Sequence, residues 1–249
     1  MGRLIYIPAP GGIPYTYTKS LDLDGSNEYV DFGDQSAMDG DSPFSLFCVV
    51  KFDVSGNTPR ILSKNTGGVA NSGWAFIKDI LDRPRFIIWD SSGNRLNVFC
   101  SETLSTGVWY RLGVSTDALN AGSTTIYING TAGTMITMFD EKPVAANIPN
   151  TQPVRAGAQG AGDYLNGKLF AAGFYSGSLS GANHAAIAAL SPLNLEAGPG
   201  TLIFYPRFGN DPDDDATSGT GVIKDRVGGF DGTPMNTESG DIITDAPTP

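Results

Sequence analysis

The sequence predicts an all-β protein, two antiparallel sheets packed face to face, with one short helix near residues 181–190. Three observations predict it. Hydrophobic residues make up 40% of the chain and charged ones only 17%, too few charges for helices that expose one whole face. The 249 residues include 32 Gly and 16 Pro, which punctuate the chain into short pieces. From Ser20 onward, apolar runs of strand length follow one another with turn residues between. All-β sandwiches of this length form one domain, so the expected organisation is an arm over 1–19 and a single domain over 20–249.

Taken in order, the first 19 residues read as an extended arm, because Pro8, Pro10 and Pro14 prevent helix while Tyr6, Tyr15 and Tyr17 offer adhesive area. The strands follow as SLDLD, EYVDF, PFSLFCVVKF, RILSK, GWAFIKD, PRFIIWD, RLNVFC, VWYRLGVSTD, TTIYIN and YLNGKLFAAGFYSG. In the run from Phe44 to Phe52 every even position is apolar, while the odd ones mix Ser45 and Lys51 with Phe47 and Val49. That pattern predicts a central strand packed on one face and partly covered on the other. Tyr110, Leu112 and Val114 alternate inward, which turns Trp109 to the opposite face. Asn129-Gly130 predicts a type I′ hairpin, since both of its central positions require positive φ. SGANHAAIAALSP carries the helix, with Ser180 as its cap and Pro192 as its stop. Its His184, the only histidine of the chain, reads as a surface residue of that helix. From Thr201 the chain adds one strand, LIFYPRF, then an acidic loop, a Gly-rich turn region and a Pro-ending tail.

The formal net charge of −10 and the lack of any Lys/Arg run argue against nucleic acid and anionic membranes, which are bound through basic contacts. Neutral glycans, divalent cations and basic protein surfaces remain compatible with it. No apolar run approaches the 18 or more residues of a membrane-spanning helix, and the prolines of the arm interrupt any signal-peptide core, so a chain made in the cytoplasm and soluble there is expected. Cys48 and Cys100 each sit inside an apolar strand, where free thiols serve as small core residues.

Seven segments together resemble the laminin G-like jelly roll of the concanavalin A-like lectin/glucanase superfamily. They are SLDLDGSNEYVDFGD (20–34), PFSLFCVVKFD (43–53), RILSKN (60–65), GWAFIKD (73–79), TGVWYRLGVSTD (106–117), TTIYINGTAGT (124–134) and YLNGKLFAAGFYSGSLSGANHAAI (164–187). They stand in the family's order and at its spacing. The stretch DRVGGFDGTPMN resembles segments of virus-encoded members of the family, above all tailed-phage structural proteins.

The resemblance implies a non-catalytic virion protein that decorates the capsid or joins the tail. In that picture residues 1–19 anchor it to other virion proteins, the jelly roll faces outward, the chain belongs to a homo-oligomer, and it is made in the host cytoplasm. The alternative is a glycan-binding adhesin for host surface polysaccharide; a third reading is a glycoside hydrolase. Hydrolysis needs two convergent carboxylates. The five glutamates, Glu28, Glu102, Glu141, Glu196 and Glu238, lack the E-x-D-x-(x)-E pattern of the superfamily's glucanases, so no enzyme is expected.

Relatives often hold calcium in loops at one end of the sandwich, which makes calcium the cofactor to consider. Asp211, Asp213 and Asp215, with Asp214 between them, form the densest oxygen cluster, but Ala216 and Val222 stand where an EF-hand needs Gly and Glu. A second donor set is Asp163 with Asn166, joined by Asn27 or Asp31 if the loops meet. Solvated loop acids and Asx turns are the simpler account of both sets. For glycan contact the aromatic candidates are Trp74, Trp89 and Tyr164, with core packing the expected role of at least two of them.

Overall fold

The computed structural model describes residues 17–65, 72–117, 120–160, 162–190 and 195–247. Most of the arm therefore lies outside the described residues. Its last residue, Lys19, is held in place by a hydrogen bond from its N–H to Asn210 Oδ1 at 3.0 Å. The strands are β1 (Ser20–Asp24), β2 (Tyr29–Asp34), β3 (Phe44–Phe52), β4 (Arg60–Lys64), β5 (Gly73–Lys78), β6 (Pro84–Trp89), β7 (Arg95–Cys100) and β8 (Trp109–Thr116). They continue with β9 (Thr125–Ile128), β10 (Thr131–Ala132), β11 (Met135–Asp140), β12 (Pro153–Ala156) and β13 (Asn166–Ser176). After the helix α1 (Gly181–Ala189) come β14 (Thr201–Phe204), β15 (Thr233–Met235) and β16 (Ile242–Ile243).

They form two antiparallel sheets. One runs β10-β9-β8-β3-β13-β1-β16, with β14 also on β13; the other runs β11-β7-β6-β5-β4-β12-β2-β15. Strand β1 is interior to its sheet because the distant β16 pairs with it on the side away from β13. Likewise β15 extends the other sheet beyond β2, so the C-terminal segment completes both sheets. Strands β11, β12, β15 and β16 were not legible as strands; they are short or, in β11, largely exposed, and lack the apolar runs that mark the others.

The core follows the alternation. Phe44, Leu46, Cys48, Val50 and Phe52 of β3 face the second sheet, where Trp74, Phe76, Phe86 and Ile88 meet them. Phe44 stacks on Phe174 at 4.9 Å, and Trp74 lies 6.0 Å from both rings. Tyr110 packs on this core while Trp109 packs on the other side of the sheet, as the alternation requires. The odd positions Phe47 and Val49 are covered by Ile187 of α1 with Leu195 and Tyr205. Both cysteines are buried free thiols, and burial pushes Cys100 up to about 12. The hairpin forms as expected, with Asn129 at φ 51° and Gly130 at φ 82°.

The placement of His184 corrects the sequence reading. Ser180 caps α1 through Asn183 N–H, yet His184 is only 1% exposed, because α1 lies against the sheet and turns this side chain inward. Gly113 makes the room: a Cβ there would stand 2.5 Å from Nδ1 of His184. The imidazole stacks on Tyr127 at 3.9 Å, and Nε2 lies 2.8 Å from Ser115 Oγ. Ser115 Oγ also lies 2.8 Å from Leu179 O, while Ser45 Oγ takes the N–H of Leu179 and lies 3.0 Å from Gly177 O. Since Nδ1 is buried without a partner, the proton belongs on Nε2, donating to Ser115, whose hydroxyl donates to Leu179 O. Burial pushes the pKa of His184 down to about 4.

A second buried polar centre ties loops to the second sheet. Lys64 is 0% exposed, and its ammonium meets Asp34 Oδ1 at 2.6 Å, Asp39 Oδ1 at 3.1 Å, Gln152 O at 2.8 Å and Asn150 O at 3.2 Å. Four oxygens satisfy a charge that would otherwise be too costly to bury.

Candidate functional site

At the end of the sandwich where β1, β3 and β5 finish and β13 begins, four turns surround a cleft of about 330 Å³ lined by Gly25, Asn57, Thr58, Pro59, Ile80, Asp163 and Tyr164. Each turn is braced locally. Gly25 (φ 79°) packs so closely on Asn166 that a Cβ would stand 2.6 Å from Asn166 Cβ, and Asn166 Nδ2 donates to Asp24 O at 2.8 Å. Only glycine allows that approach. In the β5–β6 turn, the Asp79 carboxylate accepts the N–H of Leu81 and Arg83 and the Arg83 guanidinium, the last at 2.6 Å. Burial pushes that carboxyl up, and these donors more than offset it, so its pKa is lowered. The turn holds Ile80 63% exposed at the rim, with Leu81 and Val54 as further exposed apolar side chains.

Asp163 adopts the left-handed backbone (φ 55°) that Asp tolerates better than most residues. Its carbonyl accepts the N–H of Arg60 at 3.0 Å, and its Oδ2 pairs with the Arg60 guanidinium at 2.9 Å. Arg60 also donates to Gln159 Oε1 and, at 3.2 Å, to Thr58 O. Burial lowers the pKa of Arg60, and Asp163 works against that. Asp163 remains 45% exposed and takes the Thr58 hydroxyl at 3.4 Å. Next to it the half-buried Tyr164 ring lies 6.3 Å from Tyr29, itself covered by Arg155 at 5.1 Å. The Asn57 Oδ1 is buried and accepts no hydrogen bond. The cleft thus brings together an aromatic residue, an apolar rim and a partly exposed carboxylate.

The structure unites two residues that the sequence suggested for different purposes, Asp163 for a metal and Tyr164 for a glycan. The Asn166 side chain braces Gly25 and Asp31 pairs with Arg155 at 3.1 Å, so these two side chains are engaged elsewhere, while Asn27 offers its backbone carbonyl to Asn236 Nδ2. Asp211 pairs with Arg226 at 2.9 Å, Asp215 caps Thr217, and Asp214 accepts the N–H of Gly209, Asp211 and Lys224. Burial pushes Asp214 up to about 6. Asp213 is exposed, with its N–H on Asp211 Oδ1. These carboxylates accept hydrogen bonds within their own turns, and among the described residues no group of three or more His, Cys, Asp or Glu side chains is placed to hold a metal ion. Trp74 is a core residue whose indole N–H donates to Met38 O at 2.7 Å. Trp89 packs with Ala75, Ile77 and Ile87 in a separate buried cluster. Asn57, Thr58, Gly25 and Ile80 escaped the sequence reading, although the exposed Ile80-Leu81 pair inside a turn was a visible anomaly.

The family model of the concanavalin A-like lectin/glucanases superfamily, in its laminin G form, matches residues 24–183, well over half the chain. The chain belongs to this family. All seven residues of the cleft lie within the matched part of this laminin G-like domain. No curated protein matches the sequence. Among solved structures, a Bacteroides ovatus protein described as carbohydrate-binding superposes with a TM-score of 0.61 at 16% identity, over 92% of this chain and 60% of that one. This chain therefore spans less than two thirds of that protein. The CBM40 domain of the Ruminococcus gnavus IT-sialidase superposes with a TM-score of 0.54 at 13% identity, over 69% of this chain and 97% of that one. The same domain bound to α2,3 sialyllactose gives 0.52 at 14% identity, over 68% and 96%. Identities this low establish the shared jelly-roll fold of the laminin G-like domain and nothing finer.

Proposed function

We propose that this laminin G-like domain is a non-catalytic glycan-binding module whose sugar sits in the cleft of Asn57, Asp163 and Tyr164. The observation that carries the reading is the gathering of the half-buried Tyr164, the partly exposed Asp163 carboxylate and the exposed Ile80 around one concavity. A sugar ring presents an apolar C–H face, which suits an aromatic ring, and a rim of hydroxyls, which can donate to the exposed part of the Asp163 carboxylate. A volume of about 330 Å³ sits at the small end of ligand pockets, suited to a short or terminal sugar unit. Carbohydrate-binding proteins among the structural neighbours support the same reading.

Hydrolysis would call for two opposed carboxylates, and the cleft lining contains one. The virion reading draws on the resemblance of a C-terminal segment alone, so glycan recognition takes precedence over it. The test is a glycan array followed by calorimetry on the best hit. Tyr164→Ala should weaken binding about tenfold, the equivalent of one lost aromatic contact. Undiminished binding by that variant would remove the cleft as the site.

A further inference from the structure

We infer that the cleft selects uncharged glycans and discriminates against sialylated or uronic acid sugars, an inference that rests on its being a glycan site. The hydrogen-bonding polarity of the lining points this way. Asp163 is an acceptor-only carboxylate that remains 45% exposed at the cleft, so what it can take from a ligand is a donor. Sugar hydroxyls donate, whereas a sugar carboxylate only accepts. A carboxylate brought beside Asp163 would add a like charge to an acceptor-rich site.

The cation that might receive such a group is already committed. Arg60 commits its guanidinium to Asp163, Gln159 and the Thr58 carbonyl, and its side chain is 13% exposed against 45% for Asp163. The turns around the cleft add Asp24, Asp53 and Asp82. Asp53 engages Lys168 at 2.6 Å, Asp82 engages Lys78, and Asp24 Oδ1 accepts Ser26 N–H at 2.7 Å. The nearby lysines are thus bound to local acids, and the whole chain carries −10. The neighbour that holds sialyllactose shares the fold at 14% identity, and a shared fold does not transmit the charge of a loop-built site.

The experiment presents the full chain with matched probes: neutral oligosaccharides and the same oligosaccharides capped with sialic acid, at low and at physiological salt. The neutral member of each pair should bind at least tenfold more tightly, with the gap widest at low salt. Ile80→Lys places a cation on the exposed rim without disturbing a buried group, and it should raise the sialylated-to-neutral ratio several-fold. Equal or tighter binding of sialylated probes, still lost in Tyr164→Ala, would overturn the selectivity while leaving the glycan site standing. Binding that ignores Tyr164→Ala, or no binding to either probe, would overturn the site reading and the selectivity with it.

Discussion

Acidification should loosen the helix α1 by protonating His184. Its imidazole is 1% exposed, lies between Tyr127 and the Gly113 backbone, and has an unpartnered Nδ1. A second proton would therefore put an unpaired charge into an apolar contact. Burial lowers the pKa from 6.5 to about 4, so between those values the unfolded chain binds a proton that the folded one refuses. The stability at stake is fully present above pH 6.5 and drains away as pH falls toward 4. At about 1.4 kcal/mol for each pH unit, the loss comes to about 3 kcal/mol. Urea unfolding measured from pH 4 to 8 on the wild type and on His184→Gln isolates it, because contributions from Glu28 and Asp214 are common to both chains. The variant loses the stacking on Tyr127, worth about 1 kcal/mol, and should be the less stable of the two at pH 7. At pH 4 the order should reverse. Parallel stability curves, or an imidazole that titrates near 6.5 by NMR, would refute the reasoning.

Lys64→Met should cost about 3 kcal/mol in chemical unfolding, because it leaves Asp39 buried without its cation and frees the carbonyls of Asn150 and Gln152; a change below about 1 kcal/mol would show that water replaces the ammonium without penalty. Glu28 is pushed up to about 7 by burial, with Asp241, Asp24 and Asp22 adding to the effect, while its bond from Asp24 N–H opposes it. Its folded form holds a proton the unfolded chain releases above about 4.5, so stability falls as pH rises from there toward 7. Glu28→Gln should thus raise Tm at pH 8 and leave it nearly unchanged at pH 4, and a lower Tm at pH 8 would contradict this. Ending the chain after Pro199 removes β14, β15 and β16 together with the core residues Phe204, Phe208 and Ile223, and should abolish cooperative melting; a sharp transition in that fragment would mean that the matched segment stands alone.

The sequence by itself determined the fold class and the inward face of the main strands. Phe44 to Phe52 announced a strand covered on both sides, Tyr110 its inward face, and Asn129-Gly130 its hairpin, because alternation and positive φ are local properties of the chain. Tertiary structure alone decided what lies far apart in sequence. β15 and β16 became strands only because β2 and β1 offered edges to pair with, a choice that their own short segments do not encode. His184 reads as a surface residue along its helix, yet is buried because Gly113, 71 positions earlier, leaves the space for its ring. The cleft is the same case: Gly25, Asn57, Ile80 and Tyr164 come from four separate turns, and none of them alone marks where a site lies. A binding site is a relation between loops, and loops are brought together by the sheets beneath them rather than by any signal in their own residues.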